Sequence, residues 1–140
     1  MAAAMLGGVG GHAGLFSNAS EVAVLMQLFL NKGTYAGKRY FSAETFDQFN
    51  QCLYCDQGNR RGVGFDKPQL EGSGSTCGCV PKSSFGHSGF TGTYAWADPE
   101  NELIYIFLSN RTYPTMDNNL LLKHDIRIRI QQYIYDSIIN

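Results

Sequence analysis

The sequence predicts an α+β fold, in which an antiparallel sheet packs against a long C-terminal helix and further helices come before the sheet. Residues 85–96 and 103–108 are rich in aromatic and β-branched residues and flank a turn at Asp98-Pro99-Glu100-Asn101, which is typical of a β-hairpin. Residues 19–30 and 119–138 instead repeat apolar side chains every three or four positions, as helices do. A chain of 140 residues has the length of one domain.

The first two predicted helices have recognisable starts. Asn18 and Glu21 have the spacing of a capping box before a run with apolar residues on one face. Ser42 can cap a shorter helix that reaches about Phe49, and we expect Phe46 and Phe49 to point inward.

The last helix is predicted to begin near Asn118 and to run on without interruption, since no Gly or Pro follows for some twenty residues. Its apolar face contains Leu122, Ile126, Ile130, Ile134 and Ile138, and it is widened by Leu121, Ile128 and Tyr135. Residues 51–84 are loop-like by comparison, with one short strand candidate at residues 61–65 and a flexible tip at residues 72–76.

Composition excludes several functional classes. Hydrophobic residues make up 44% of the chain and charged residues 16%, which indicates a globular protein. The net charge of −1, without a basic stripe, gives no reason to expect a nucleic-acid partner. No apolar run approaches the ~20 residues of a membrane-spanning helix. Residues 1–6 lack the basic start of a signal peptide and look like an arbitrary beginning, so we expect the natural protein to start earlier.

The four cysteines form two close pairs, Cys52 with Cys55 and Cys77 with Cys79. Four thiolates in two such pairs could hold a tetrahedral zinc ion. Alternatively they are free thiols, or disulfides, in surface loops. The C-x-C spacing of the second pair is tighter than a usual zinc knuckle and favours the second interpretation.

A glycine-rich segment occupies residues 7–14 and contains His12. It lacks the Lys-Ser/Thr of a phosphate-binding P-loop, and no strand precedes it as in a dinucleotide-binding motif. We expect a close-packed loop near a functional site. His12 either reaches that site or satisfies a loop carbonyl.

Residues 85–93 carry the strongest functional signal. Gly86, Gly89 and Gly92 recur at every third position of a predicted strand, where glycine often marks the close approach of a ligand or another backbone. His87 and three hydroxyl residues, Ser88, Thr91 and Thr93, lie between the glycines. Hydroxyl donors and an imidazole on a bare sheet edge could bind a substrate carbonyl or carboxylate.

His87-Ser88-Gly89 resembles the third active-site motif of serine β-lactamase-like hydrolases, which is usually Lys-Thr-Gly on an edge strand. This superfamily includes class C β-lactamases, penicillin-binding proteins, D-amino-acid peptidases and esterases. Residues 10–17 resemble its glycine-rich loop, and residues 105–111 resemble the strand that follows the third motif. The sequence is most similar to the β-lactamase-like modules attached to some bacterial glycoside hydrolases.

The resemblance implies a partial β-lactamase/transpeptidase-like fold over residues 1–140. His87 then matches the motif's lysine and is the catalytic candidate. Ser88, Gly89 and Thr91 are candidate substrate-binding residues, and the N–H of Phe90 is a candidate oxyanion donor. Because histidine is not a fixed positive charge, its presence favours an esterase or peptidase over a true β-lactamase.

Two other motifs of the superfamily are missing from the 140 residues. No serine is followed three positions later by lysine, and no tyrosine is followed two positions later by asparagine. One hypothesis is therefore a C-terminal hydrolase fragment that is inactive alone and takes its nucleophile from chain before Met1. The alternative is a non-catalytic structural or binding module.

The resemblance also implies further properties of the protein. It implies a small-molecule or peptidoglycan-like substrate, no cofactor, and a bacterial periplasmic or cell-envelope location. A fragment of this fold would expose a sheet edge and an apolar face, so we expect it to form homo-oligomers.

Overall fold

A computed structural model describes residues 2–5, 7–8, 10–11, 14–69 and 74–138. The helices are α1 (Ala2–Met5), α2 (Ala19–Leu30), α3 (Ala43–Asn50), α4 (Leu120–Lys123) and α5 (Ile126–Ile138), with a 3-10 turn at Cys55–Gln57. The strands are β1 (Thr34–Tyr35), β2 (Lys38–Arg39), β3 (Phe85–Ser88), β4 (Tyr94–Asp98) and β5 (Leu103–Phe107). The predicted α+β class is confirmed. None of the described helices is long and apolar enough to cross a membrane.

The main sheet has three antiparallel strands in the order β3-β4-β5. Its first part was wrongly predicted as one long strand, because a tight turn at residues 89–93 divides it into β3 and β4. The Gly89 N–H donates to the Thr93 carbonyl at 2.8 Å, and Gly92 adopts φ +93°. Glycine suits this left-handed conformation, since it has no Cβ.

The two faces of the sheet have separate hydrophobic cores, because side chains alternate along a strand. On one face, Phe85 and Ala97 pack with Met26 of α2 and with Phe46. On the other face, a cluster of aromatic residues packs against Ile130 and Ile134 of α5; it consists of Tyr94, Trp96 and Tyr105. The sheet is therefore enclosed between α2 and the C-terminal helix.

Gly86 serves packing rather than ligand approach. It lies opposite Trp96 in the β3-β4 register, and a Cβ at Gly86 would contact the Trp96 ring and the Ala95 carbonyl. The indole is only 2% exposed, and its Nε1–H donates to Ser84 Oγ at 3.0 Å. The edge of β3 is also not bare at this point, because Asp66 exchanges backbone hydrogen bonds with Gly86 at 2.8 and 3.1 Å.

The predicted start of α2 is confirmed, since Asn18 Oδ1 accepts the Glu21 N–H at 3.0 Å. Ser42 caps α3 as predicted, by accepting the Thr45 N–H at 3.2 Å. Phe46 is buried, but Phe49 is 50% exposed, so its predicted inward orientation was wrong.

The C-terminal segment is two helices rather than one. Asp125, with φ +50°, separates α4 from α5. The most buried residues of α5 are Tyr135, which belongs to the predicted apolar face, and Gln131, which does not. The Tyr135 hydroxyl donates to Asp98 Oδ2 at 2.5 Å, which ties α5 to the β4-β5 turn.

Two loop predictions have different outcomes. Residues 61–65 form a turn rather than a strand, closed by an isolated bridge between Arg61 and Asp66. Residues 74–76 of the predicted flexible tip at 72–76 are described, and Thr76 is buried. The rest of that tip and His12 lie outside the described residues.

We expect Gly86→Ala to lower the free energy of unfolding by about 1–3 kcal/mol, because the added methyl group overpacks the contact with Trp96. Urea denaturation followed by tryptophan fluorescence measures the change. Gly78→Ala is the matched control, since a Cβ there meets nothing within 4 Å. Equal stability of the two variants would contradict this account of Gly86.

Candidate functional site

A groove of about 770 Å³ lies between α2 and the sheet, where β3 ends and β4 begins. One wall is the first half of α2 and the segment before it, including Phe16 and Val22. The other wall contains His87, Ser88 and Gly89 of the predicted motif. The groove thus joins the glycine-rich N-terminal segment to the motif, two regions that lie more than 60 residues apart in sequence.

The predicted site residues do not all reach the groove. His87, Ser88 and Gly89 line the groove. Phe90 and Thr91 lie in the turn between β3 and β4 and do not line it, and Phe90 is 68% exposed. Thr93, the residue before β4, also lines the groove. Among the described residues, the Phe90 N–H has no hydrogen-bond acceptor.

His87 is held by two contacts that fix its tautomer. Its Nδ1 lies 2.8 Å from the Ser88 carbonyl oxygen, and its Nε2 lies 3.4 Å from Nη1 of Arg61. A carbonyl only accepts and a guanidinium only donates, so Nδ1 donates and Nε2 accepts. In this geometry, the fixed positive charge beside the motif belongs to Arg61.

Arg61 was missed by the sequence reasoning, because it lies 26 residues before His87 in a loop-like segment. Its orientation is set by Asp66, which is 2% exposed and places Oδ1 2.9 Å from Arg61 Nη1 as an ion pair. Arg60 pairs with the other carboxylate oxygen at 3.1 Å. Asp66 thus holds Arg61, whose side chain is 60% exposed, beside His87.

Lys67 anchors the same loop to the body of the domain. Its Nζ donates to Asn50 Oδ1 and to the Ser83 carbonyl, both at 3.1 Å. The side chain is buried, and burial lowers the pKa of Lys67 to about 8. The loop that carries Arg61 is therefore fixed both at β3, through Asp66, and at the end of α3.

The cysteines pair locally, since Cys52 is bonded to Cys55 and Cys77 to Cys79. Sulfurs engaged in disulfides are not thiolate ligands. Among the described residues, no group of three or more His, Cys, Asp or Glu side chains is arranged to hold a metal ion. The structure thus agrees with the disulfide interpretation of the four cysteines.

The β-lactamase family model matches residues 1–127 of the chain, which is most of its length. The chain belongs to the β-lactamase family. This confirms the predicted membership of the serine β-lactamase-like superfamily.

Two curated relatives of this β-lactamase-family chain are each named "Putative D-alanyl-D-alanine carboxypeptidase". The protein from Escherichia coli O157:H7 is 34% identical over 95% of this chain and 32% of its own length. The protein from Salmonella agona is 37% identical over 81% of this chain and 26% of its own length. The chain therefore spans between about a quarter and a third of the length of these relatives.

A crystal structure of a β-lactamase from Mycobacterium bovis superimposes with a TM-score of 0.57 at 20% sequence identity. The superposition covers 77% of this chain and 44% of the other. The shared fold agrees with membership of the β-lactamase family.

We expect the stability of the protein to rise between pH 8 and 10.5 through Lys67. Its pKa is lowered from 10.5 to about 8, so in this window the unfolded state binds the proton that the folded state has lost, and raising the pH favours folding. The gain is at most about 3 kcal/mol, since each pKa unit is worth about 1.4 kcal/mol.

The measurement compares urea denaturation of the wild type and Lys67→Met across this window. The difference between the two proteins separates the contribution of Lys67 from that of Tyr94 and Tyr135. Burial raises the pKa of both tyrosines, so they lower the stability of the fold as the pH rises above 10. Lys82→Met, at an exposed lysine, should retain the wild-type slope. The same slope in Lys67→Met and the wild type would contradict the prediction.

Proposed function

We propose that this chain forms the substrate-binding wall of a serine hydrolase that acts on peptides or esters ending in a free carboxylate. The observation that supports it best is the guanidinium of Arg61, which Asp66 holds beside His87, a residue that lines the groove. The hydroxyl residues Ser88 and Thr93 line the same groove. Together they form a site suited to an anionic group next to a reacting carbonyl.

Arg61 suits a carboxylate for physical reasons. A guanidinium stays charged at every physiological pH and presents its donors in a planar fork. Charge-assisted hydrogen bonds to a carboxylate are about twice as strong as neutral ones. His87 accepts from Arg61 in this arrangement, so the pair replaces the lysine of the usual motif as a unit, with Arg61 supplying the charge.

The second requirement of acyl transfer is a donor for the oxyanion. Gly89 lines the groove, so the peptide that joins it to Phe90 lies at the groove's end, and the N–H of this peptide has no acceptor among the described residues. A preorganised N–H of this kind stabilises the charge that develops on the carbonyl oxygen. We assign this role to Phe90, and the role of a neighbouring hydroxyl donor to Thr91.

The nucleophile must come from chain outside these 140 residues, because none of their serines is followed by lysine at the third position. The chain covers 32% of the length of one relative, which leaves ample chain for a Ser-x-x-Lys. The names of the relatives suggest the substrate class, namely a peptidoglycan-like peptide with a C-terminal D-alanine.

The proposal predicts that the 140-residue chain alone does not hydrolyse a D-alanyl-D-alanine peptide or a p-nitrophenyl ester. The complete protein encoded by the longer reading frame should hydrolyse at least one of them and be labelled by a fluorophosphonate. Turnover is followed by D-alanine release and by absorbance. Labelling and turnover by the 140-residue chain alone would contradict the assignment of the nucleophile.

Arg61→Gln in the complete protein tests the carboxylate site. We expect KM for the free-acid peptide to rise about tenfold or more, in line with a lost charge-assisted bond. KM for the peptide amide should change little. Arg129→Gln is the control, because Arg129 is exposed on α5 away from the groove. An equal effect on acid and amide would contradict the role of Arg61.

A non-catalytic binding module is the second candidate, favoured by the same missing motif. It predicts that the complete protein binds the free-acid peptide through Arg61 but shows neither turnover nor fluorophosphonate labelling. The two candidates are thus separated by one labelling experiment.

We also propose that the isolated chain self-associates. Leu15 and Phe16 line the groove and are 75% and 85% exposed, and among the described residues β5 has no strand on its outer side. Exposed apolar patches and open strand edges both promote association.

Sedimentation velocity should therefore show a dimer or larger species at micromolar concentration. The double variant Leu15→Ser, Phe16→Ser should shift it toward monomer, and Leu53→Ser, at a 57% exposed leucine in a loop, should not. A compact wild-type monomer at high concentration would show that these surfaces do not drive association.

A further inference from the structure

We propose that Arg111 and Arg127 are positioning residues that hold the turn at residues 89–93 so that the Phe90 N–H remains free to donate. The inference rests on the proposed function, because the donor matters only if the groove carries out acyl transfer. It adds two residues that lie on neither wall of the groove and that act through the backbone of the turn.

Arg111 holds the first half of the turn. Its Nε donates to the Phe90 carbonyl at 2.8 Å, and its backbone N–H donates to the Thr91 carbonyl at 2.9 Å. Ser109 Oγ donates to the same Thr91 carbonyl at 3.1 Å. The guanidinium carbon also lies 4.7 Å from the centre of the Phe90 ring, within the range of a cation–π contact.

Arg111 is itself fixed from the other side. Its Nη1 donates to the carbonyls of Met116 and Asn118 at 3.3 and 3.2 Å. One end of the planar guanidinium thus binds the turn at residues 89–93, and the other end binds the loop before α4. Lysine has a single ammonium head and cannot bridge both in this way.

Arg127 holds the second half of the turn from α5. Its Nη1 donates to the carbonyls of Gly92 and Thr93 at 3.1 and 3.3 Å. The backbone carbonyl of Arg127 accepts the Tyr105 hydroxyl at 3.3 Å, which fixes this part of α5 to the sheet. Among the described residues, neither Arg111 nor Arg127 forms an ion pair with a carboxylate, so their hydrogen bonds are directed at the turn and its surroundings.

The resulting hydrogen-bond pattern is one-sided. Every carbonyl from Gly89 to Thr93 accepts a hydrogen bond, that of Gly89 from the Gly92 N–H at 3.0 Å. The N–H groups of Phe90 and Thr91 have no acceptor among the described residues. Successive free N–H groups in a fixed turn favour negative charge. The arginines thus occupy the acceptors of the turn and leave its donors available.

Conservative variants test this role, since Arg111→Lys and Arg127→Lys keep the charge but lose the bridging geometry. Arg129→Lys is the matched control, on the same helix but exposed and without contact with the turn. In the 140-residue chain, nitrogen-15 relaxation should give backbone N–H order parameters of about 0.85 for Phe90 and Thr91 in the wild type and below about 0.6 in both variants.

In the complete protein, both variants should lower kcat by about tenfold or more with KM changed less than twofold, because a misplaced oxyanion donor acts on the transition state. Circular dichroism spectra of both variants should match the wild-type spectrum. This excludes a general loss of structure as the cause of the lower kcat. Arg129→Lys should match the wild type in all measurements.

Three results would overturn the inference: wild-type order at Phe90 and Thr91 in both variants, an unchanged kcat, or a rise in KM alone. If the wild-type complete protein hydrolyses neither substrate, the proposed function fails. The relaxation measurement then still decides whether the two arginines hold the turn.

Discussion

The contact between the Trp96 indole and Gly86 is the constraint on which the site depends. With glycine at this position, the ring covers the backbone of β3, and β3 lies close enough to β4 for the register that pairs His87 with Ala95. Trp96 also pairs with Tyr105 of β5, so one buried side chain links all three strands. The adjacent residue, His87, points away from this core and toward the groove, because side chains alternate along a strand.

Asp66 extends this arrangement from the sheet to the loop. Its backbone pairs with Gly86, and its buried carboxylate holds Arg60 and Arg61. A buried carboxylate without partners would be costly, and two guanidinium groups offset that cost. The same ion pairs that stabilise the burial of Asp66 therefore also determine where the exposed charge of Arg61 lies relative to His87.

Sequence reasoning recovered the elements with strong local signals and missed those that depend on distant contacts. The cap at Asn18 and the β-rich character of residues 85–108 are local, and both were predicted. The break at Asp125 was not, because a left-handed residue other than glycine has no clear sequence signal. The motif at His87-Ser88-Gly89 was found by its pattern. Arg61, Arg111 and Arg127 instead reach His87 and the turn through side-chain hydrogen bonds that span between 21 and 35 residues of sequence.

The glycines at positions 86, 89 and 92 show why a correct pattern can have more than one cause. Their spacing drew attention to the right segment, yet Gly86 makes room for an indole and Gly92 permits a left-handed turn packed against Leu121. Only Gly89 lines the groove. A Cβ at Gly89 would also meet Thr93 Oγ1, so each of the three glycines has a structural reason of its own. The chemistry that we propose for the site depends on the arginines around the turn, because they hold a backbone that glycine alone would leave free to move.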